Sequence, residues 1–168
     1  MCFPMVRVAD DYNSRFPIDL PMHSDRGNGP KLVQIERIPI RWGDMDAMGH
    51  VNNTLYFRYM EMVRVAWYER MFGELSAARD EGIVIVNASC NFLKPLTYPG
   101  TVEARMSLGA ATRSSVQSYY ELTMNDVLYA DGAAKMVWID TRRGKAKPLP
   151  DSIAALSRHG NESSGGQT

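Results

Sequence analysis

The chain has 168 residues, 45% of them hydrophobic and 23% charged, a composition typical of a globular protein large enough for one sizeable core. Lys and Arg together number 19, as do Asp and Glu, so the formal net charge is zero and a nucleic acid is not favoured as the main partner. The sequence contains no 18-residue apolar run, and we therefore expect no membrane-spanning helix.

The two ends of the chain differ in composition from its middle. Residues 1–30 hold four prolines and two glycines among scattered charges, which predicts an extended or poorly ordered arm. They lack the continuous apolar segment of a signal peptide, and their aspartates argue against a transit peptide, so the cytoplasm is the expected compartment. Residues 158–168 are predicted to form a flexible tail, which leaves 31–157 as the folded domain.

A strand-like segment is followed by a long helical one. Residues 33–42 alternate in part between apolar and polar positions, which predicts a strand with an irregularity near Arg37. In residues 55–71 the apolar positions recur with helical spacing, which predicts a substantially buried helix of about five turns. Gly73 is the expected stop of this helix.

The rest of the domain is predicted to be mostly β-structure. Four apolar or alternating segments follow the helix, separated by short runs of turn-forming residues: 83–93, 101–109, 115–124 and 127–140. Consecutive strands joined by short turns pair in an antiparallel manner. Beyond them, two prolines and the apolar residues 153–156 predict a short closing turn or helix.

These elements predict an α+β protein, in which an antiparallel sheet of about five strands wraps around one long central helix. The other face of such a sheet, and any long edge strand, would need cover. A second copy of the chain is the simplest cover, so we expect a homodimer or a homotetramer.

The turn between the first strand and the helix is the part of the chain richest in chemical groups. The run Arg41-Trp-Gly-Asp-Met-Asp-Ala-Met-Gly-His-Val-Asn-Asn53 crowds two carboxylates, a histidine and two asparagines at the start of the helix, where Asn52 or Asn53 is a natural N-cap. A helix N-terminus carries unpaired N–H groups and a partial positive charge. A carboxylate and a histidine beside such donors are suited to acyl-transfer chemistry.

Two runs in this region carry a resemblance to a known family: Asp44-Met-Asp46-Ala-Met-Gly49-His50-Val-Asn52-Asn53, and then Tyr56-Phe-Arg-Tyr59-Met-Glu61-Met-Val-Arg64. Together with the segments Phe92–Gly100 and Val137–Asp140 and the order of the elements, they resemble the hotdog-fold thioesterases, specifically the 4-hydroxybenzoyl-CoA thioesterase-like acyl-CoA hydrolases. The resemblance implies the hotdog fold and an active site at a dimer interface. It implies hydrolysis of an acyl-CoA to the free acid and coenzyme A, with no cofactor and no metal.

The same resemblance implies roles for three residues. Asp46 would be the catalytic carboxylate, as a nucleophile or as a general base, and the backbone N–H of Asn53 would polarise the thioester carbonyl. The His-Val-Asn-Asn element also resembles plant acyl-carrier-protein thioesterases, in which the histidine aligned with His50 belongs to the catalytic group. Those enzymes have an asparagine at the position of Met48.

Each of these residues also has a purely structural interpretation. Asp46 would then only cap the turn or the helix, and His50 would be a histidine satisfied near a helix start. We interpret Asp44 as a hydrogen-bonding residue that shapes the loop. Asn52 is a cap or loop anchor and also a candidate for substrate contact, and Tyr56 is a core aromatic that is also a candidate lining of the acyl pocket.

Lys94 and Arg143 are candidates to bind the phosphates of coenzyme A, and the alternative for each is a solvated basic turn. Cys90 lies in an apolar segment with no basic neighbour, so it is not expected to be a nucleophile. No cluster of His and Cys with metal-ligand spacing is visible.

Two functional alternatives remain open, which are a non-catalytic acyl-thioester binding module and an acyl-carrier-protein thioesterase.

Overall fold

The computed structural model describes residues 29–74 and 79–157. The arm predicted for residues 1–30, apart from positions 29 and 30, and the tail predicted for residues 158–168 lie outside the described residues, so the domain boundaries stay a prediction. No helix within the described residues is long and apolar enough to cross a membrane.

One long helix and a six-stranded sheet make up most of the described chain. Strand β1 spans Lys31–Pro39, a 3₁₀ turn follows at Trp42–Asp44, and helix α1 spans Asn53–Phe72. The next four strands are β2 at Glu81–Phe92, β3 at Thr101–Ala111, β4 at Ser115–Met124 and β5 at Val127–Asp140. A two-residue strand β6 at Lys145–Ala146 and a short helix α2 at Asp151–Ser157 follow.

The sheet is antiparallel throughout, with the strand order β1-β3-β4-β5-β2 and with β6 pairing β5. The strand that follows the helix in sequence therefore lies at one edge of the sheet, and the strand that precedes the helix lies at the other. This arrangement confirms the predicted α+β architecture, in which one long helix packs against a sheet of about five strands, as the hotdog fold requires.

Helix α1 packs its buried face against the sheet. Val63 and Trp67 in this face have no exposed surface. The backbone of β5 comes close to the helix at Gly132, where an added Cβ would lie 2.5 Å from Cε of Met60 and 2.6 Å from the carbonyl oxygen of Ser89. Small residues in the middle of β5 are therefore needed to let the helix lie close to the sheet.

Strand β1 differs in two respects from its prediction. The predicted strand covered 33–42, whereas β1 spans Lys31–Pro39 and ends before the 3₁₀ turn at Trp42–Asp44. Its irregularity lies between Leu32 and Gln34, whereas Arg37 pairs regularly with Glu103. The bulge turns Val33 into the core and leaves Ile35 41% exposed, so these two residues face opposite sides. The alternation visible in the sequence had placed both on one face, and the prediction near Arg37 was wrong for that reason.

Candidate active site

The residues from Met45 to Val51 form a very short hairpin at the start of α1. Met45 and Val51 form an antiparallel bridge, the N–H of Asp46 donates to the carbonyl of His50 at 2.8 Å, and the N–H of Gly49 donates to the carbonyl of Asp46 at 3.0 Å. Gly49 has φ +78°, a conformation that favours glycine. The carboxylate and the histidine of the sequence motif are thus neighbours across this hairpin.

The side chain of Asp46 is anchored through one of its two oxygens. Oδ1 accepts the N–H of Met48 at 2.8 Å and that of His50 at 3.4 Å, so Asp46 does cap the turn, as its structural interpretation predicts. Oδ2 has no hydrogen-bond partner within the described residues. One oxygen is fixed by the backbone while the half-buried carboxylate keeps a second oxygen that can take a proton or attack a carbon.

Asp44 ties this hairpin to the helix. Its Oδ2 accepts the N–H of Arg41 at 2.9 Å and the hydroxyl of Tyr59 at 3.0 Å, and its carbonyl accepts the N–H of Asn52 at 2.9 Å. Burial, together with this hydrogen bond to the Asp44 carboxylate, raises the pKa of Tyr59, so the hydroxyl remains a donor at neutral pH. These contacts confirm the interpretation of Asp44 as a residue that shapes the loop.

The first turn of α1 contains a backbone N–H group, that of Asn53, that differs from its neighbours in its hydrogen bonding. Asn52 is the N-cap, and its side-chain oxygen accepts the N–H of Thr54 at 3.0 Å and the hydroxyl of Thr54 at 2.8 Å. The N–H groups of Val51, Asn52 and Leu55 donate to backbone carbonyls. Within the described residues, the N–H of Asn53 has no acceptor. A free, exposed N–H at a helix start is the arrangement that stabilises an oxyanion.

The positions of Asn52 and His50 limit what their side chains can do. The oxygen of Asn52 is committed to the cap, so only its amide nitrogen could contact a substrate, and that contact stays a prediction. His50 is joined to Asp46 by its backbone N–H and carbonyl, and its ring has no hydrogen bond to any described residue. A catalytic role for the imidazole also stays a prediction.

Tyr56 holds a neighbouring loop against the helix. Its ring is 3% exposed, and its hydroxyl accepts the N–H of Leu96 at 2.9 Å and donates to the carbonyl of Lys94 at 3.4 Å. Burial raises the pKa of Tyr56, and the charge of Asp46 nearby raises it further. Contact between Tyr56 and a substrate stays a prediction, and it would involve the ring because the hydroxyl already has two partners.

Sequence reasoning found the aromatic residues of α1 but not their individual tasks. Tyr56 and Tyr59 are three positions apart, which puts them on one side of the helix. Tyr59 binds the hairpin through Asp44, and Tyr56 binds the loop at Leu96. The spacing was visible, but the hydrogen-bond partners of the two hydroxyls, Asp44 and Leu96, are distant in sequence and give no local signal.

The structure does not bring Lys94 and Arg143 together in one chain. The N–H of Lys94 donates to the carbonyl of Tyr129 near the start of β5, whereas Arg143 follows Asp140 at the end of β5. Eleven residue-to-residue steps along the strand lead from Tyr129 to Asp140, a length of about 36 Å. Both basic residues are exposed. Within one chain the two residues therefore lie towards opposite ends of β5.

The Cys90 thiol is not suited to act as a nucleophile. Burial raises the pKa of the Cys90 thiol to about 12, so at neutral pH it is almost entirely protonated and is a poor nucleophile. No group of three or more His, Cys, Asp or Glu residues in the described part of the chain is arranged to hold a metal ion.

Comparison with known proteins identifies a family and similar folds. The model of the Thioesterase-like superfamily matches residues 40–156. Among solved structures, the "PA2801 protein, a putative Thioesterase" from Pseudomonas aeruginosa is 39% identical, with a TM-score of 0.71 over 74% of this chain and 98% of that one. A thioesterase from Thermus thermophilus, solved with coenzyme A and Zn, is 26% identical, with a TM-score of 0.67 over 76% and 98%. A "Putative esterase" of Aquifex aeolicus is 28% identical over 71% of this chain and 93% of its own length.

Proposed function

This chain belongs to the Thioesterase-like superfamily, and we propose that it hydrolyses an acyl-CoA to the free acid and coenzyme A, with Asp46 as the reacting carboxylate. The observation that carries the proposal is the presence, near the start of α1, of one acceptor and one donor that have no hydrogen-bond partner within the described residues. Oδ2 of Asp46 and the N–H of Asn53 both lack hydrogen-bond partners within the described residues, whereas Oδ1 of Asp46 and the N–H groups of Asn52 and Thr54 are hydrogen-bonded.

The chemistry follows from these two groups. The carbonyl oxygen of the thioester accepts the N–H of Asn53, which stabilises the negative charge that develops on that oxygen during attack. As a general base, Asp46 takes a proton from water while the water oxygen bonds to the carbonyl carbon. The C–S bond then breaks, the thiolate of coenzyme A leaves, and Asp46 passes the proton that it took from water to this thiolate.

A covalent route uses the same atoms. Oδ2 of Asp46 attacks the carbonyl carbon, the thiolate leaves, and water then hydrolyses the mixed anhydride, which regenerates the carboxylate. Either route leaves room for His50, whose ring lies on the opposite arm of the hairpin and would orient water or the carbonyl oxygen.

We further propose that the active form is a homodimer joined through strand β2, alone or as half of a homotetramer. Strand β2 is a twelve-residue edge strand whose outer side has no strand neighbour within the described residues. Val84, Ile85 and Val86 in its middle are 36%, 37% and 57% exposed. A long, exposed apolar edge strand favours pairing with a second copy.

Such pairing would also complete a coenzyme A site. If β2 pairs with its copy along its full length, residue 81 of one chain lies opposite residue 92 of the other. Because Glu81 pairs with Asp140 in the sheet, Arg143 of the partner subunit would then lie at the same end as Lys94. This placement supports the assignment of both basic residues to the phosphates of coenzyme A.

The test is hydrolysis of a panel of acyl-CoAs, followed by thiol release, with acyl-CoA binding measured separately by calorimetry. Turnover of at least one acyl-CoA supports the proposal. Binding without thiol release would show a non-catalytic acyl-thioester binding module instead. Release from acyl-carrier-protein thioesters alone would move the substrate to the carrier protein.

A further inference from the structure

A groove of about 370 Å³ lies between α1 and the strands at the β2 side of the sheet. Its walls include the apolar side chains of Phe57, Met60, Ile85 and Ala88. Thr54, in the first turn of the helix, lies at one end of the helical lining, and Arg64, ten residues further along, lies at the other. Ten residues of α-helix span about 15 Å, so the groove runs lengthwise from the helix start to a guanidinium group.

Arg64 is held in place by a chain of hydrogen bonds that leads into the sheet. Ser118 is fully buried, and its hydroxyl donates to the carbonyl of Ala134 at 2.9 Å. The hydroxyl of Tyr120, 2.8 Å from that of Ser118, must therefore be the donor in that pair. The oxygen of Tyr120 is left as an acceptor, and Nη1 of Arg64 donates to it at 3.0 Å.

This chain of bonds fixes the guanidinium without consuming its binding capacity. A guanidinium has five N–H donors, and Arg64 uses one of them on Tyr120. The described residues, 29–74 and 79–157, offer no other acceptor to this side chain, and none of their carboxylates forms an ion pair with it. The remaining donors match the planar fork of a carboxylate, which arginine binds through two parallel hydrogen bonds.

The other charged residues that line the groove do not form an ion pair with Arg64. Glu61 and Arg58 also line the groove, and these two residues form an ion pair with each other. Glu61 and Arg64 are three residues apart on the helix, a spacing that allows an ion pair. In the structure, however, Glu61 forms its ion pair with Arg58. The groove thus combines apolar walls with two arginines, of which Arg58 is paired with Glu61 and Arg64 has no carboxylate partner within the described residues.

We propose that the groove receives an acyl chain whose far end carries a carboxylate, and that Arg64 binds this carboxylate. The inference rests on the proposed thioesterase activity and specifies its substrate class. The thioester carbonyl would lie at the N–H of Asn53, next to Thr54, and the apolar walls would hold the methylene chain. The substrate would then be the coenzyme A monothioester of a dicarboxylic acid.

The experiment compares acyl-CoAs of equal chain length that end in a carboxylate or in a methyl group, over a series of lengths. The wild-type protein should prefer the carboxylate-ended member by about 10- to 100-fold in kcat/KM, as expected for a hydrogen-bonded charge pair. Arg64→Gln should remove that preference and leave hydrolysis of the methyl-ended member within about threefold of wild type. Arg64→Lys, which keeps the charge but not the fork, should retain part of it.

Arg37→Gln serves as the matched control, because Arg37 pairs with Glu103 on the exposed face of the sheet and its loss should leave the preference unchanged. Equal loss of both activities in Arg64→Gln would show a merely structural arginine. No preference in the wild-type protein at any length would also overturn the inference. A change of oligomeric state in Arg64→Gln, measured by sedimentation, would show instead that Arg64 binds a carboxylate of a second copy.

A binding measurement separates this inference from the proposed activity. Calorimetry with the carboxylate-ended and methyl-ended acyl-CoAs reports the contribution of Arg64 even if no thiol is released. Loss of turnover on every acyl-CoA with a retained, Arg64-dependent difference in affinity would reject the hydrolase but keep the groove. Turnover with no Arg64-dependent difference in affinity or rate would reject the groove alone.

Discussion

Oδ1 of Asp46 accepts the backbone N–H of Met48 at 2.8 Å, so the carboxylate that we place at the reacting centre is held by the turn to which it belongs. A neutral asparagine can accept the same hydrogen bond through its own oxygen. The structural task and the chemical task of position 46 can therefore be separated by one substitution, because only the second needs a negative charge.

We predict that Asp46→Asn folds normally and loses about 10²- to 10⁴-fold in kcat, the usual contribution of a positioned base. The KM should change little, because the turn and the helix start keep their hydrogen bonds. Steady-state hydrolysis and the denaturation midpoint are measured on the same preparation. Asp126→Asn, the same chemical change in the exposed turn after β4, is the control and should keep full activity. Full activity in Asp46→Asn would remove the residue from the mechanism.

We predict that Asn53→Pro removes the oxyanion donor at little cost to the helix. Asn53 is the first helical residue, where proline is well tolerated, and Asn52 before it has φ −56° and ψ 134°, which proline permits. Because proline has no N–H, kcat should fall by about 10²- to 10³-fold. Asn53→Ala keeps the N–H and should stay near wild type. Equal activity in the two variants would mean that the donor lies elsewhere.

The sequence predicted the elements of the fold more accurately than the contacts within the site. Strands β4 and β5 were predicted with the bounds that they have, because their alternation and turn residues are local signals. Gly73 was correctly predicted as the end of α1, because glycine is the residue favoured just after a helix, where the backbone often takes a positive φ. In the structure Gly73 has φ +78°. Local patterns of this kind need no knowledge of tertiary packing.

The site depended on information that no local pattern contains. The motif and the family resemblance indicated Asp46 and the backbone N–H of Asn53, but only the structure shows that this N–H has no acceptor within the described residues. The groove is likewise invisible in the sequence, because Arg64 is organised by Tyr120, which is 56 positions away. Contacts of this range are set by sheet order, and sheet order follows from the whole chain.

We predict that Gly132→Ala destabilises the protein by about 1–3 kcal/mol through overpacking. The added Cβ would lie 2.6 Å from the backbone oxygen of Ser89, which cannot move aside as the side chain of Met60 can. Urea denaturation should show a lower midpoint with an unchanged slope. Gly43→Ala, where nothing lies within 4 Å of the added carbon, is the control. A midpoint equal to wild type in Gly132→Ala would mean that α1 lies further from the sheet than described.

The outer face of the sheet carries a carboxyl group whose ionisation opposes folding. Burial raises the pKa of Asp131, and the nearby charge of Glu121 on β4 also raises it, while a hydrogen bond from Nδ2 of Asn91 on β2 at 2.8 Å partly offsets both effects. The folded protein therefore binds the proton of Asp131 more tightly than the unfolded chain does. As the pH rises through the interval between the two pKa values, the free energy of unfolding must fall.

We predict that Asp131→Asn stabilises the protein at pH 7 and that the gain disappears below about pH 4, where the carboxyl is protonated in both states. The asparagine oxygen can still accept from Asn91, so the hydrogen bond survives while the charge is lost. Denaturant melts of both proteins from pH 3 to pH 8 give the difference directly. A difference that is constant with pH, or a loss of stability at pH 7, would show that the ionised carboxylate is favoured in the folded state by a partner that outweighs its burial.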